Sequence, residues 1–555
     1  MRTTLELAEF PGATALLLDY AQHFERVAGW FSYNPHDLAA LDARLAELDE
    51  RERLDVFRVM DRGAWTAALY AQQQRFGCGQ AALDAARKLG QSRCYSVVTG
   101  QQAGLLGGPL YALLKAATIV KLARQLKARY PECEFVPTFW ISSEDSDFDE
   151  VRTARLLDSA GQLREIALPP AAAEDYALIV GRRDVSAALP AALAELEQAL
   201  PSGQYRDAAL ALLREAYGEG AEGSLVTGFA HLMARLFDGT ELVLVDPQDP
   251  LLAQAGRALI KRELSDPAAA QAVLARRNAE IKAAGYPLQV EQLSGDTSLF
   301  LLDERGRREK LACDEQGFCL RRSARRISIE ELNTLAELTP ERFVCGVMLR
   351  PLFQNSLFPC AAWIGGAAEI SYRAQCTAAF DWHGQRMAPA FLRASATLLP
   401  ARSAAQLNEL GWELPQLYAP AQAVAARAAA QAMPQGIESA MAHYREVLYS
   451  ADEQLKQQAV QLDPSLAASF DTLRGNLDHH VEKLEKKISG VLKQQQETLL
   501  KRVQQVQTQA FPMQSPQERM LCVASFLPRY GLGLAAQLIE RLEVPAWSHQ
   551  VVVLD

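Results

Sequence analysis

A chain of 555 residues exceeds what one hydrophobic core supports, so several domains or large insertions are expected. With 22% charged and 49% hydrophobic residues it has the balance of a globular protein, not of a disordered or fibrous one. Fifty-seven Lys and Arg against 67 Asp and Glu leave a net charge of −10, which argues against nucleic acid or an anionic membrane as the main partner.

The start, M-R-T-T-L-E-L-A-E-F, lacks the apolar centre of a signal peptide, so a cytoplasmic location is expected. Residues 1–90 carry helical patterning with alternating charges. The longest uncharged run follows, Cys94–Leu114, with Lys115 directly after it. Its glutamines, glycines and proline make it a poor membrane span. It reads as a strand (Cys94–Thr99), a loop with Gly100, Gly104, Gly107, Gly108 and Pro109, and an amphipathic helix from Leu110 to Lys127. A second strand, F-V-P-T-F-W-I, ends in the acid cluster Glu144, Asp145, Asp147, Asp149 and Glu150. A hairpin pattern surrounds Asp158–Gly161, and Glu241–Pro247 is another strand ending in a carboxylate. Residues 290–325 read as a small β meander. A-A-W-I-G-G-A-A-E-I-S-Y repeats the passage from strand through glycine to helix. Strands separated by helical patterns predict an α/β fold with a mainly parallel sheet and connecting insertions.

Residues 431–510 differ in kind. An apolar stripe from Ile437 to Leu462 marks one long helix, and another runs from Phe470 to Ala510. Asp463-Pro464 between them is expected to end the first and start the second, with Asp as N-cap and Pro in the first helical position. A protruding helical hairpin that pairs with a second chain is the expectation, since nothing else in the sequence covers both helices. The tail, H-Q-V-V-V-L-D, returns to β character and is expected to rejoin the main sheet.

Three constellations carry candidate chemistry. G-Q-Q-A-G-L-L-G-G-P matches no standard phosphate loop, yet glycines between strand and helix let backbone N–H groups approach an anion. It is either a nucleotide cradle or a tight structural turn, and the amides of Gln101 and Gln102 favour ligand contact. Lys115 reaches a phosphate or sits in solvent. The acid cluster is a solvated loop, or it binds Mg²⁺, orients an amine or supplies a base. Arg350 and Glu369 bracket an uncharged stretch; they form a buried salt bridge or, with Gly365, Gly366 and Tyr372, a second wall of the same site. Nine cysteines without a C-x-x-C and eight scattered histidines predict reduced thiols and no zinc. Cys313 and Cys319 flank an expected turn, D-E-Q-G, across which they could meet, too few ligands for a metal site.

The segments V-V-T-G-Q-Q-A-G-L-L-G-G-P-L-Y, F-W-I-S-S-E-D-S-D-F-D-E and L-R-P-L-F-Q-N-S-L-F-P…I-G-G-A-A-E-I-S-Y together resemble the BshC family. So do A-G-Y-P-L-Q-V…T-S-L-F-L-L-D, M-A-P-A-F-L-R-A-S and Q-E-R-M-L…Y-G, so the likeness spans nearly the whole chain. The resemblance implies a Rossmann-like core and a C-terminal coiled-coil hairpin that dimerises. It also implies ligation of cysteine to the amine of glucosaminyl-malate in bacillithiol biosynthesis. On this reading residues 1–155, 223–262 and 341–430 form the core. Residues 156–222 and 263–340 are connecting insertions, 431–510 the hairpin and 511–555 the return to the core. Two positions depart from the family pattern: Ser146 replaces a usual histidine, and Leu114 a frequent histidine or tyrosine.

Amide formation from a free carboxylate is uphill in water, so ATP is expected to activate it. The nucleotide is expected against Gly100–Gly108, with Gln101, Gln102 and Lys115 near phosphate or substrate. Glu144, Asp145 and Asp147 are the expected catalytic carboxylates, with Mg²⁺ accompanying the nucleotide at Glu144 and Asp147. Arg350 and Gln354 are assigned to substrate carboxylates, and Glu369 and Tyr372 to the sugar. The alternatives are a nucleotidyltransferase acting on another small acid or phosphosugar, and a nucleotide-sensing coiled-coil dimer without catalysis.

Overall fold

The computed structural model describes residues 2–53, 61–432 and 436–555. The chain divides into two compact units, one of residues 402–514 and a larger one of residues 2–401 with 515–555.

In chain order the first strands of the larger unit are β1 (Thr4–Glu6), β2 (Cys94–Gln101), β3 (Glu134–Ile141), β4 (Thr153–Leu157), β5 (Leu163–Ala167) and β6 (Val243–Val245). Next come β7 (Asp296–Leu302), β8 (Arg308–Asp314), β9 (Gly317–Leu320), β10 (Arg326–Ile327) and β11 (Phe343–Cys345). The last are β12 (Cys360–Gly365), β13 (Ala390–Leu392), β14 (Ser395–Pro400) and β15 (Ser548–Leu554). The helices that matter below are α1 (Tyr111–Arg129), α2 (Phe148–Val151), α3 (Arg350–Leu357), α4 (Ala367–Trp382), α5 (Ala421–Ala432), α6 (Ile437–Leu462), α7 (Leu466–Ala510) and α8 (Gln517–Met520).

The central sheet has the order β13-β12-β2-β3-β6, with every neighbouring pair parallel. Its middle strands are apolar almost without interruption because both faces are covered. The chain passes from β2 through α1 to β3 on one side, whereas β12 lies on the other side of β2. The order therefore reverses beside β2, and the crevice at such a reversal, at the carboxyl ends of the strands, is where open α/β sheets take ligands.

Helix α1 is more deeply placed than an amphipathic pattern suggests: Ala112 to Val120 are all buried, Lys115 included. The sheet covers one side of it and the C-terminal helix Leu534–Arg541 packs against it as well. Gly104 and Gly108 let the loop before α1 fold tightly, since a Cβ on Gly104 would sit 2.5 Å from Gly108 Cα.

The meander is larger than its sequence pattern shows. Strands β7 to β11 form an antiparallel sheet of order β10-β9-β8-β7-β11, so residues 343–345 belong to this insertion and not to the core. The register pairs Cys313 with Phe318 and Cys319 with Ala312. The two cysteines thus point to opposite faces and do not meet. The C-terminal tail does not rejoin the central sheet either. After β13 the chain leaves it, and β15 pairs with β14 and β1 in a separate three-stranded sheet.

In the smaller unit α6 and α7 run antiparallel, joined by the ion pairs Arg445–Glu485 (2.8 Å), Asp452–Arg474 (3.3 Å) and Lys456–Asp471 (2.6 Å). The unit begins well before residue 431, because α5 also packs along α7. Asp463 ends α6 and accepts from Ser465 N, and α7 starts at Leu466, two residues later than the Asp-Pro pattern suggests.

Candidate functional site

Each strand of the central sheet ends at a polar group. β2 delivers Gly100 to Gln102, β3 delivers Ser142 to Asp145, and β6 is followed by Asp246. β12 is followed by Gly366 and the start of α4, and β13 by Arg393. A cleft of about 360 Å³ opens there, lined among others by Gln101, Gln102, Lys115, Asp145, Arg350 and Glu369. All three segments singled out in the sequence contribute to it.

Lys115 and Glu369 meet at the reversal point. Lys115 Nζ lies 2.6 Å from Glu369 Oε2 and also donates to Gly100 O (2.7 Å) and Gln101 Oε1 (3.0 Å). The lysine is almost fully buried, and burial lowers its pKa while Glu369 works against the fall. The same Glu369 oxygen accepts from Gly366 N at 2.7 Å, capping α4. Gly366, Ala367 and Ala368 line the cleft. The opening N–H groups of a helix have no partner within it and favour an anion.

Arg350, at the start of α3, faces the acid cluster. Its Nε lies 2.9 Å from Glu144 Oε1 and its Nη2 3.7 Å from Asp145 Oδ2. Burial pushes the Glu144 carboxyl up, opposed by Arg350 and by the Trp140 indole, which donates at 3.2 Å. The other oxygen, Glu144 Oε2, is buried without a hydrogen-bond partner among the described residues. Burial works to raise Asp145 too, but Arg350 and Arg308 outweigh it and hold it below the usual carboxylate value. Arg308 comes from β8 and stacks on Phe300, 3.9 Å from the ring centroid, so the insertion braces the acid cluster. Beneath the loop, Ser143 Oγ donates to Asp246 Oδ1 at 2.5 Å, tying the end of β3 to the end of β6.

Gln102 bridges two cleft carboxylates, donating to Glu150 Oε2 (2.8 Å) and Asp145 Oδ2 (3.4 Å). Gln101 donates to Gln102 Oε1 and Tyr111 Oη. Burial pushes the Tyr111 hydroxyl up to about 12 and raises Tyr372 as well, so both stay protonated at neutral pH.

Several expected site residues lie elsewhere. Gly104, Gly107, Gly108 and Gly365 are not among the cleft's lining residues. The N–H groups of Gly104, Gly107 and Gly108 are taken by Gln102 O, Tyr217 Oη and Leu105 O, so these three glycines offer no phosphate cradle. Gln354 is buried one turn after Arg350 and does not line the cleft. Asp147 is exposed and caps α2, its Oδ1 accepting from Glu150 N at 3.1 Å. Neither carboxylate of the expected Mg²⁺ pair lines the cleft: Glu144 faces Arg350, and Asp147 caps a surface helix. Among the described residues no three His, Cys, Asp or Glu side chains converge as metal ligands. Ser146 is part-buried beside the cleft and does not line it, while Leu114 lies in the core.

The cleft also contains Glu150, from the acid cluster, and Tyr111, Arg393 and Arg519, which the sequence reading did not single out as site residues. Arg393 and Arg519 stand in F-L-R-A-S and Q-E-R-M-L, two of the segments that carry the family resemblance. That was the available signal. Arg393 is buried and held by Glu518 through two bonds, at 2.9 and 2.6 Å.

Comparison with known proteins agrees with this architecture. Residues 3–394 match the family described as bacillithiol biosynthesis BshC, N-terminal Rossmann-like domain. Residues 396–554 match the BshC C-terminal coiled-coil domain. A relative from Salinibacter ruber, named "Putative cysteine ligase BshC", is 30% identical over 546 residues, covering 98% of this chain and 97% of the relative. Relatives of the same name from Symbiobacterium thermophilum (30%, covering 89% of this chain and 90% of the relative) and Chlorobaculum tepidum (28%, 87% of each) are similar in extent. Among the described residues no helix is long and apolar enough to cross a membrane.

Proposed function

The chain belongs to the BshC family of bacillithiol biosynthesis, a family of ligases, and from that premise we propose that it joins the carboxylate of cysteine to the amine of glucosaminyl-malate. The observation that carries the proposal is a single cleft, at the reversal point of a parallel sheet, presenting both charge signs. An amino acid, an amine and an anionic co-substrate need both.

When bound, ATP supplies the activation without which a free carboxylate does not form an amide. The opening turn of α4, with the Lys115 charge behind it, fits its phosphates better than the glycine loop does. Asp145 and Glu150, bridged by Gln102, fit the accompanying Mg²⁺ or the ammonium of a substrate. Gln101 and Gln102 orient polar groups without adding charge. A carboxylate on this rim, Glu150 or Asp145, accepts the proton that the attacking amine must lose. Glu144 holds Arg350 in place.

The test is reconstitution of the full chain with cysteine, glucosaminyl-malate and ATP, followed by mass analysis. The expected product has the mass of the two substrates less one water and depends on ATP. A different acid consumed in place of cysteine, or no nucleotide turnover, would overturn the assignment.

The proposal includes a homodimer through the hairpin. Tyr444, Val447, Leu455, Leu473, Leu484 and Val491 are exposed on α6 and α7, a run of apolar groups that a second copy would cover. Replacing residues 436–510 by a short linker is expected to give monomers by light scattering. An unchanged oligomer after excision would place the contact elsewhere.

A further inference from the structure

The cleft does not end at α4. Gly366, Ala367, Arg393 and Arg519 also line a second, smaller chamber, whose opposite wall is the N-terminal segment with Leu7, Phe10, Pro11, Ala13 and Leu17. The cations of the cleft are mostly committed: Lys115 to Glu369, Arg350 to Glu144 and Asp145, Arg393 to Glu518. Arg519 is different. It is exposed at the junction of the two chambers, and among the described residues no hydrogen bond or ion pair engages its side chain. Its charge reaches Tyr111, opposing the burial that raises that hydroxyl.

The position of Arg519 is fixed from behind. Gln517 accepts from Leu398 N (2.8 Å) and donates to Leu398 O (2.9 Å), replacing a strand neighbour for β14. Glu518 accepts from Arg393, from Ser395 Oγ (3.0 Å) and from Ala396 N (2.9 Å). Two consecutive buried anchors leave the next residue's backbone little freedom, so the Arg519 side chain starts from a fixed point at the junction of the two chambers.

We propose that Arg519 is the residue that recognises the acceptor, binding a carboxylate of its malate moiety at the junction of the two chambers. This rests on the ligase reading above and deepens it. Arg350, the sequence's candidate for that role, is already neutralised by Glu144 beside its Nε and by Asp145 3.7 Å from its Nη2, and Gln354 is outside the cleft. A planar, permanently charged guanidinium suits a carboxylate bidentately. The malate carboxylates also pass through the reaction unchanged. A strong pair with them anchors substrate and transition state alike, whereas the same pair on the reacting cysteine carboxylate would stabilise the ground state and oppose activation.

The experiment compares wild type, Arg519→Ala and Arg519→Lys as full chains. In ligation, Arg519→Ala is expected to raise KM for glucosaminyl-malate by about 10–100-fold, the range of a lost hydrogen-bonded charge contact, with Lys intermediate. KM for cysteine and for ATP should move less than about twofold, a small change on this scale. A methyl glucosaminide, which lacks the carboxylates, should be used equally poorly by wild type and Arg519→Ala. Calorimetric titration with glucosaminyl-malate alone reads the same contact without turnover: Arg519→Ala should bind about 10–100-fold more weakly than wild type. If ligation fails in wild type but this binding difference remains, the inference stands while the reaction assignment falls. Unchanged acceptor affinity in Arg519→Ala, a rise confined to KM for ATP, or no acceptor binding by wild type would each overturn the inference.

Discussion

Lys115→Met is expected to lower ligation kcat/KM by about 100-fold or more, the scale of losing one charged group beside a reacting anion. It is also expected to destabilise the larger unit by about 2–4 kcal/mol, because removing one partner of a buried ion pair leaves the other uncompensated. The lysine lies at the centre of the cleft's wiring, holding the end of β2 through Gly100 O and Gln101 Oε1 and the start of α4 through Glu369. Glu369 retains some solvent contact and its bond from Gly366 N, which keeps the loss below that of a fully buried orphan. A double variant separates the two roles. Lys115→Met with Glu369→Gln removes both charges and should recover much of the stability, since a buried pair replaced as a pair costs little. Activity should stay low, because the cation is still missing. Thermal unfolding and steady-state kinetics on the two single variants and the double one provide the measurement. Near-native turnover in Lys115→Met would show that the lysine only braces the fold.

The central sheet was legible because its strands are buried on both faces and therefore read as apolar runs broken by glycine or acid. Gly100 and Asp145 were placed at strand ends by that pattern, and Lys115 and Glu369 in the helical segments that follow strands. What the sequence hid depends on contacts between distant segments. A lysine inside an apolar helix looks the same whether it faces solvent or a carboxylate 254 positions away, and only folding pairs Lys115 with Glu369. The glycine loop misled because φ-permissive residues serve a tight turn as well as an anion cradle. The use of its N–H groups by Tyr217 and its own carbonyls is invisible in one dimension. Asp147 misled for a related reason, since a carboxylate that caps a helix and one that serves a cleft occupy the same acidic run. The tail's β character was clear, but not its partner strands: β14 leaves the central sheet after Arg393, and an alternating pattern does not say which edge it joins.

Acid is expected to weaken the larger unit through His549, with about 3 kcal/mol lost as pH falls from about 6.5 to about 4. His549 is fully buried, its ring stacked on Phe10 at 3.5 Å, between Ser395 Oγ (2.8 Å from Nδ1) and Thr397 Oγ1 (2.9 Å from Nε2). The Ser395 hydroxyl has one proton, which it gives to Glu518 Oε1 at 3.0 Å. It must then accept from Nδ1–H, which leaves Nε2 to accept from Thr397. The neutral ring is thus fully satisfied, and burial drops its pKa to about 4, with Glu518 opposing and Arg393 assisting the fall. Between the folded and unfolded values the unfolded chain binds a proton that the folded chain refuses, so stability is complete above about pH 6.5 and falls towards pH 4. Glu518 extends the same trend. Burial works to raise it, yet Arg393 holds it at about 2, so its share of stability is present above the ordinary carboxylate value and is lost at still lower pH. The consequence reaches the cleft, since Glu518 fixes Arg393 in its wall and precedes Arg519. Scanning calorimetry of wild type and His549→Gln from pH 7.5 to 4.5 separates the two groups. Wild type should lose stability steadily below about pH 6.5, the imidazole's ordinary value. His549→Gln should start lower, having lost ring packing, but its profile should be nearly flat until the carboxylates titrate. Parallel slopes in the two proteins would assign the acid sensitivity to groups outside this network.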